Sequence, residues 1–203
     1  MTNERAKMGD HAVASLQANA SGNESFGMEG TYHFECRDKD GNFKWEETVE
    51  NQVMQVGKVL MMNTLLYTAS GYTLVGPYLG LIATSTGYSP TDTMASHTDW
   101  TEFTNYTVGG SAVRGTAVFA AATGNNVATS GSNVVTTSAT AITYTITSTG
   151  GTVTGCFLVT GTGAVSTQNS TAGTLYSAGG FAVAKTTTAG DTVTVTYTTT
   201  ATS

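Results

Sequence analysis

Several side chains in this 203-residue chain have types and spacings that could do chemistry. Asp38, Asp40 and Gly41, followed by Glu47, match the middle and end of a helix–loop–helix calcium loop, where alternate carboxylates and a closing Glu surround a hard cation. The first ligand position falls on Cys36, a poor ligand for Ca²⁺, and no helical pattern precedes it. The run therefore reads as a hairpin turn. His33 and Cys36 are closely spaced, but a structural zinc takes about four ligands and no second pair follows, with His97 distant and alone. His97, Asp99 and the nearby serines contain the members of a nucleophilic triad. No Gly-x-Ser-x-Gly elbow presents a serine, and His97 reads as a loop residue that fixes local structure. Glu46, Glu47 and Glu50 could supply glycosidase carboxylates, yet they crowd one strand and its exit, whereas that chemistry needs two carboxylates across a cleft. The Gly-rich stretches are not followed by helices, so no phosphate-binding loop is formed. These readings predict a non-enzymatic chain with no catalytic residue, no cofactor and no metal site.

Composition narrows the class further. The charged fraction is 11% and the net charge is -6. Clustered Lys and Arg, which phosphate binding requires, are missing, so a nucleic-acid partner is not expected. The first residues are polar, and no apolar run reaches the length of a membrane span. We expect neither a secretory signal nor a membrane partner, and a protein made in a cytoplasm. Cys36 and Cys156 are the two cysteines, too few for a disulfide framework, and they read as small apolar fillers. After Glu102 the charged residues are Arg114, Lys185 and Asp191 alone. This shift divides the chain into an extended N-terminal arm (1–29), a hairpin-plus-helix subregion (30–110) and a Thr/Gly-rich β subregion (111–203), the last two forming one compact domain.

The elements that must position these residues follow from periodicity. Residues 31–49 predict a β-hairpin, with Tyr32, Phe34 and Cys36 on the buried face, a turn at 38–41, and Phe43 and Trp45 continuing that face. Glu47 breaks the alternation. Residues 57–69 predict a helix in which Val59, Met62 and Leu66 share a face widened by Leu60, Met61 and Leu65. So apolar a helix is expected to be buried on most sides, and Ser70-Gly71 ends it. Residues 74–84 predict a strand, kinked or at an edge near Gly76-Pro77, and 85–99 a loop with one helical turn from Thr93. Ile142, Tyr144 and Ile146 alternate with threonines, as do Val193, Val195 and Tyr197. The continuous run Cys156-Phe157-Leu158-Val159 predicts a strand covered on both faces. Phe181 to Val183 predicts another, with turns at Gly124-Asn125, Gly150-Gly151, 161–163, Gly173, Gly179-Gly180 and Gly190-Asp191. The sum is a mainly β fold, a β-sandwich or jelly-roll-like domain with one buried helix and an extended N-terminal arm. Trp45 and Trp100 read as structural anchors.

The text of three stretches carries a resemblance. The run from Phe34 to Trp45, with Asn51 and Gly57 after it, is one; Thr91 to His97 with Trp100-Thr101-Glu102 is another; the tail from Gly173 to Ser177 and from Gly190 to Tyr197 is the third. They resemble virion structural proteins of tailed phages, in particular head decoration or cement-like proteins of short-tailed phages. The resemblance implies a virion location, the major capsid protein and further copies of the chain as partners, and a mechanism of bridging capsid subunits. The Asp-Gly turn and the loop motif look structural, so it carries over no functional residue. In this reading the polar arm is the attachment element. The alternative is a tail or fibre adsorption protein that binds a host glycan or protein, with Tyr88 and Tyr106 as exposed stacking platforms.

Overall fold

The computed structural model describes residues 27–66, 75–121, 123–126, 132–137 and 140–202. Most of the arm, residues 1–26, lies outside them, as do Ser70-Gly71. The described residues are mainly β with one short helix, built as two antiparallel sheets. The first sheet runs β2 (Phe43–Glu50), β1 (Gly27–Arg37), β13 (Thr192–Thr202), β10 (Ile142–Ile146) and β6 (Tyr106–Thr107). A second hairpin, β8 (Thr123–Asn126) and β9 (Ser132–Thr137), joins it through β9 on β13. The second sheet runs β3 (Gln52–Val53), β12 (Thr174–Thr187), β11 (Gly151–Thr160), β4 (Tyr78–Ser85) and β5 (Trp100–Phe103), with β7 (Gly115–Thr116) also on β4. Each sheet therefore takes strands from both predicted subregions, 30–110 and 111–203.

Period-two alternation places the main core between the sheets. Tyr32, Phe34 and Cys36 of β1, Val193, Val195 and Tyr197 of β13, and Ile142, Tyr144 and Ile146 of β10 all point inward. Leu79 and Leu81 of β4, with Val153, Cys156 and Leu158 of β11, meet them from the second sheet. The buried tyrosines need partners for their hydroxyls. Tyr144 donates to the Leu79 carbonyl at 2.9 Å, Tyr32 shares a 2.7 Å bond with Ser177, and Asn51 donates to Tyr197 at 2.8 Å.

β11 is covered on its other face too, as its apolar run predicts. Phe157 and Val159 join Ile82, Leu175, Ala178, Met54, Met94 and Trp100 in a second core outside the second sheet. α1 (Gln55–Leu66) and the 86–99 loop form that outer layer. Gly57 lets the helix approach β12, because a Cβ there would meet the Tyr176 carbonyl oxygen at 2.5 Å. Trp100 anchors the loop as expected: it is 2% exposed and its indole N–H donates to Asp92 at 3.0 Å.

Several expectations are corrected. Residues 27–29 are not arm but the start of β1, paired with 200–202 of β13. The helix begins at Gln55, earlier than predicted, and the predicted 67–69 lie outside the described residues; the Val59–Met62–Leu66 face is its exposed side, at 50, 48 and 72%. Leu60, 6% exposed, lies on the buried side, because one sheet can cover only one face of a helix that sits outside it. Phe43 does not continue the hairpin's inner face. Cys36 opposes Trp45 but Arg37 opposes Phe43, so Lys44 is an extra, bulged residue. The bulge reverses the parity and turns Phe43 outward, 56% exposed. Gly124-Asn125 lies inside β8, and Gly179-Gly180 inside β12, rather than in turns. The strand predicted from residue 74 begins at Tyr78, after Gly76-Pro77. The turn at Thr93 is a tight bridge, with Thr93 and Ser96 exchanging backbone bonds of 2.9 and 3.2 Å, not a helical one.

The register makes a direct prediction. Truncating the core residue Phe34 to Ala should cost about 3–5 kcal/mol, while Phe43→Ala should stay within about 0.5 kcal/mol of the parent. Urea unfolding measures both; equal costs would show that Phe43 faces the core and that no bulge intervenes.

Candidate functional site

The residues singled out in the sequence are not brought together. The Asp38 carboxylate closes its own turn, accepting the backbone N–H groups of Asp40 and Asn42 at 2.9 and 2.8 Å and the Asn42 side-chain amide at 2.9 Å. These bonds to the ionised form hold its carboxyl below the usual range. His33 faces solvent on β1, 3.1 Å from the Thr48 hydroxyl. Among the described residues no three His, Cys, Asp or Glu side chains assemble as a metal site. Cys36 and Cys156 are unpaired and buried. Burial pushes the Cys36 thiol up to about 11 and the Cys156 thiol well above its ordinary value, so neither is a thiolate nucleophile near neutral pH. His97 stacks on Trp100, ring centroids 3.7 Å apart, and its Nδ1–H donates to the Trp100 carbonyl at 3.0 Å. That bond fixes the ring in the loop, while Asp99 is exposed. Tyr106 is fully buried, which overturns its reading as an exposed stacking platform.

The described residues do assemble one buried polar centre, around Glu102 on β5 and Arg114 just before β7. Their side chains are 5% and 0% exposed. The guanidinium forks onto the carboxylate: Nε reaches Oε1 at 2.9 Å and Nη2 reaches Oε2 at 2.7 Å. Nη2 also donates to the Ser170 carbonyl at 2.8 Å, and the Asn169 backbone N–H donates to Oε2 at 2.8 Å. Asn169 meets that oxygen from a left-handed conformation, φ 60°, which Asn tolerates better than most residues. The guanidinium carbon lies 5.0 Å from the Phe157 ring centre, a cation–π contact. A cavity of about 210 Å³ borders the pair, with His97 and Trp100 on its wall.

Both carboxylate oxygens of Glu102 are engaged by donors. What the arrangement does is hold three segments together: β5, the approach to β7, and the 161–173 connection between β11 and β12. The sequence shows Glu102 and Arg114 only as isolated charges. The available signal is that a lone Arg in an otherwise uncharged stretch is almost never buried unless paired.

Two further ion pairs follow the same rule. Lys185 reaches Glu47 at 2.7 Å, which accounts for the Glu that breaks the β2 alternation: it points inward to meet a cation from β12. Lys44, the bulged residue, reaches Asp191 in the β12–β13 turn. Asp191 also accepts the Thr188 N–H at 2.8 Å. Burial pushes its carboxyl up, but Lys44 and Thr188 outweigh that and leave it below its ordinary value.

Comparison with known proteins assigns no family: no family model, curated protein or solved structure matches the chain.

The buried pair predicts non-additivity. Arg114→Met alone, or Glu102→Gln alone, should cost about 3–5 kcal/mol, because each strands a buried partner. The double variant should recover much of that loss, and chemical unfolding of the set gives the coupling directly. Additive losses would show that the two side chains act independently. A pH dependence follows from Asp191. Its folded pKa lies below the unfolded value of about 3.9, so its stabilisation is full above that pH and is lost as pH falls through the folded pKa. Asp191→Asn should therefore cost about 1–3 kcal/mol at neutral pH, and the gap should close below about pH 4. A gap that is constant down to acid pH would contradict the ion pair.

Proposed function

We propose that this chain is a structural protein of a phage particle, a decoration or cement protein that bridges subunits of the major capsid protein and contacts further copies of itself. The resemblance of its hairpin, loop and tail stretches to such proteins supports this reading. The observation that carries it is the apolar face of α1. Val59, Met62 and Leu66 are 50, 48 and 72% exposed although the helix has a well-covered inner side. Contiguous exposed apolar surface of this kind marks contact sites.

A cement protein acts by burying surface across neighbouring subunits, which raises the free energy needed to separate them. The helix face supplies apolar area for that contact. The polar arm, residues 1–26, adds directional groups such as Glu4, Arg5, Lys7 and Asp10.

The test uses particles lacking the protein, to which full-length chain is added back. Met62→Lys with Leu66→Lys should leave the melting temperature unchanged, because both side chains are exposed, and should reduce occupancy of the particles at least about tenfold, a loss of about 1.4 kcal/mol. Occupancy equal to that of the parent chain would rule out the α1 face as the attachment surface.

A further inference from the structure

We infer that the outer face of α1 pairs with the same face of a second copy of the chain, the two helices running antiparallel about a two-fold axis. The inference rests on the reading of this face as a contact surface and names what covers it. Gln55, Val59, Met62 and Leu66 follow one another at intervals of four, three and four residues, and all are exposed. That spacing is the seam of a coiled coil, which keeps facing a neighbouring helix over successive turns. The opposite side of α1 already rests on the second sheet, with Gly57 and Leu60 buried, so the seam is a separate strip.

Charge fixes the direction of the partner. The first turn of α1 carries no acidic residue and the last turn no basic one, so its own side chains leave the macrodipole uncompensated. The first turn carries the exposed Lys58 instead, and the sequence holds no further charge until Asp92. A cation is disfavoured at the N-terminus of its own helix and favoured beside a C-terminus. Lys58 makes no ion pair among the described residues. An antiparallel neighbour turns both features into attractions, because the unsatisfied carbonyls of its last turn come level with the ammonium. A second copy does this reciprocally. With Val59 opposite Met62 of the second copy and Gln55 opposite its Leu66, each Lys58 stands beside the other helix's last turn. A parallel pair would set the two Lys58 side chains together. Three exposed apolar side chains bury much less than the roughly 800 Å² per partner of a standard stable interface. The pairing is therefore weak between free copies and strong between copies held side by side, where the effective concentration is high. Paired copies seated on neighbouring capsid subunits would bridge them.

Sedimentation equilibrium of the full-length chain, without particles, tests this from about 10 µM to about 1 mM, the range of weak contacts. The weight-average mass should rise from monomer toward dimer and stop there, because a two-fold contact closes. Met62→Lys should remain monomeric throughout. Lys58→Glu should weaken association at least about threefold, through two symmetric dipole contacts, without lowering the melting temperature, because Glu suits the first turn of its own helix. To fix orientation, Val59→Cys and Met62→Cys proteins are mixed and oxidised; Cys36 and Cys156 are buried and do not compete. Antiparallel pairing predicts more mixed disulfide dimer than either homodimer. A mass that stays at monomer or climbs past dimer, association unchanged by Met62→Lys or by Lys58→Glu, or an excess of homodimers would overturn the inference. Copies that pair yet fail to occupy particles contradict the capsid reading alone, and copies that occupy particles but never pair contradict this inference alone.

Discussion

β11 must be covered on both faces. Cys156 and Leu158 point into the core between the sheets, Phe157 and Val159 into the core outside the second sheet, and all of them are buried. A strand apolar on alternate residues needs one partner layer, while an uninterrupted apolar run needs two. The first sheet supplies one. The other is assembled from what remains nearby: α1, the Trp100 loop and the 161–173 connection. Burying two such faces in place of one is worth roughly 1.5–3 kcal/mol for each large side chain. The outer layer is one element thick, so the helix that forms it has a covered inner side and an open outer one. The exposure of Val59, Met62 and Leu66 is a consequence of the demand that β11 makes.

The few charges are placed by the same economy. Arg114, Lys185 and Asp191 are the charged residues after Glu102, and each pairs with a residue from the first half, Glu102, Glu47 and Lys44 respectively. Lys185–Glu47 and Lys44–Asp191 join elements far apart in sequence, and all three pairs sit where a regular strand gives way to a turn, a bulge or a connection. A buried unpaired charge is costly, so the fully buried Glu102–Arg114 pair specifies how its three segments dock even where its net stabilisation is modest. Elsewhere the Thr-rich strands rely on ladder bonds and packing. The outer edge of the first sheet, β2, carries Lys44, Glu46, Glu47 and Glu50, charges that discourage another strand from adding there.

Much of the fold was legible wherever alternation is uninterrupted. β1, β10 and β13 follow Tyr32-Phe34-Cys36, Ile142-Tyr144-Ile146 and Val193-Val195-Tyr197, and the double coverage of β11 follows from one run of residues. The misreadings have a common physical origin in local changes of parity. One extra residue at Lys44 turns Phe43 outward, and the excess at 181–184 opens a groove between β11 and β12. A bulge leaves no periodic trace, and Gly179-Gly180 reads equally as a turn. The helix was recognisable, but which face it buries depends on the sheet beneath it and not on its own pattern. The Glu102–Arg114 centre was illegible because its geometry comes from three connections that period-two reasoning does not place.

The described residues form a β scaffold fastened by ion pairs, with a helix that offers its apolar side outward. We propose that this surface serves assembly into a shell. Quantitative gel electrophoresis of purified particles tests that claim most directly, by giving the copy number of the chain relative to the major capsid protein. A cement role predicts a fixed stoichiometry on the same scale as the capsid protein itself. A handful of copies per particle would contradict it and move the chain to the tail.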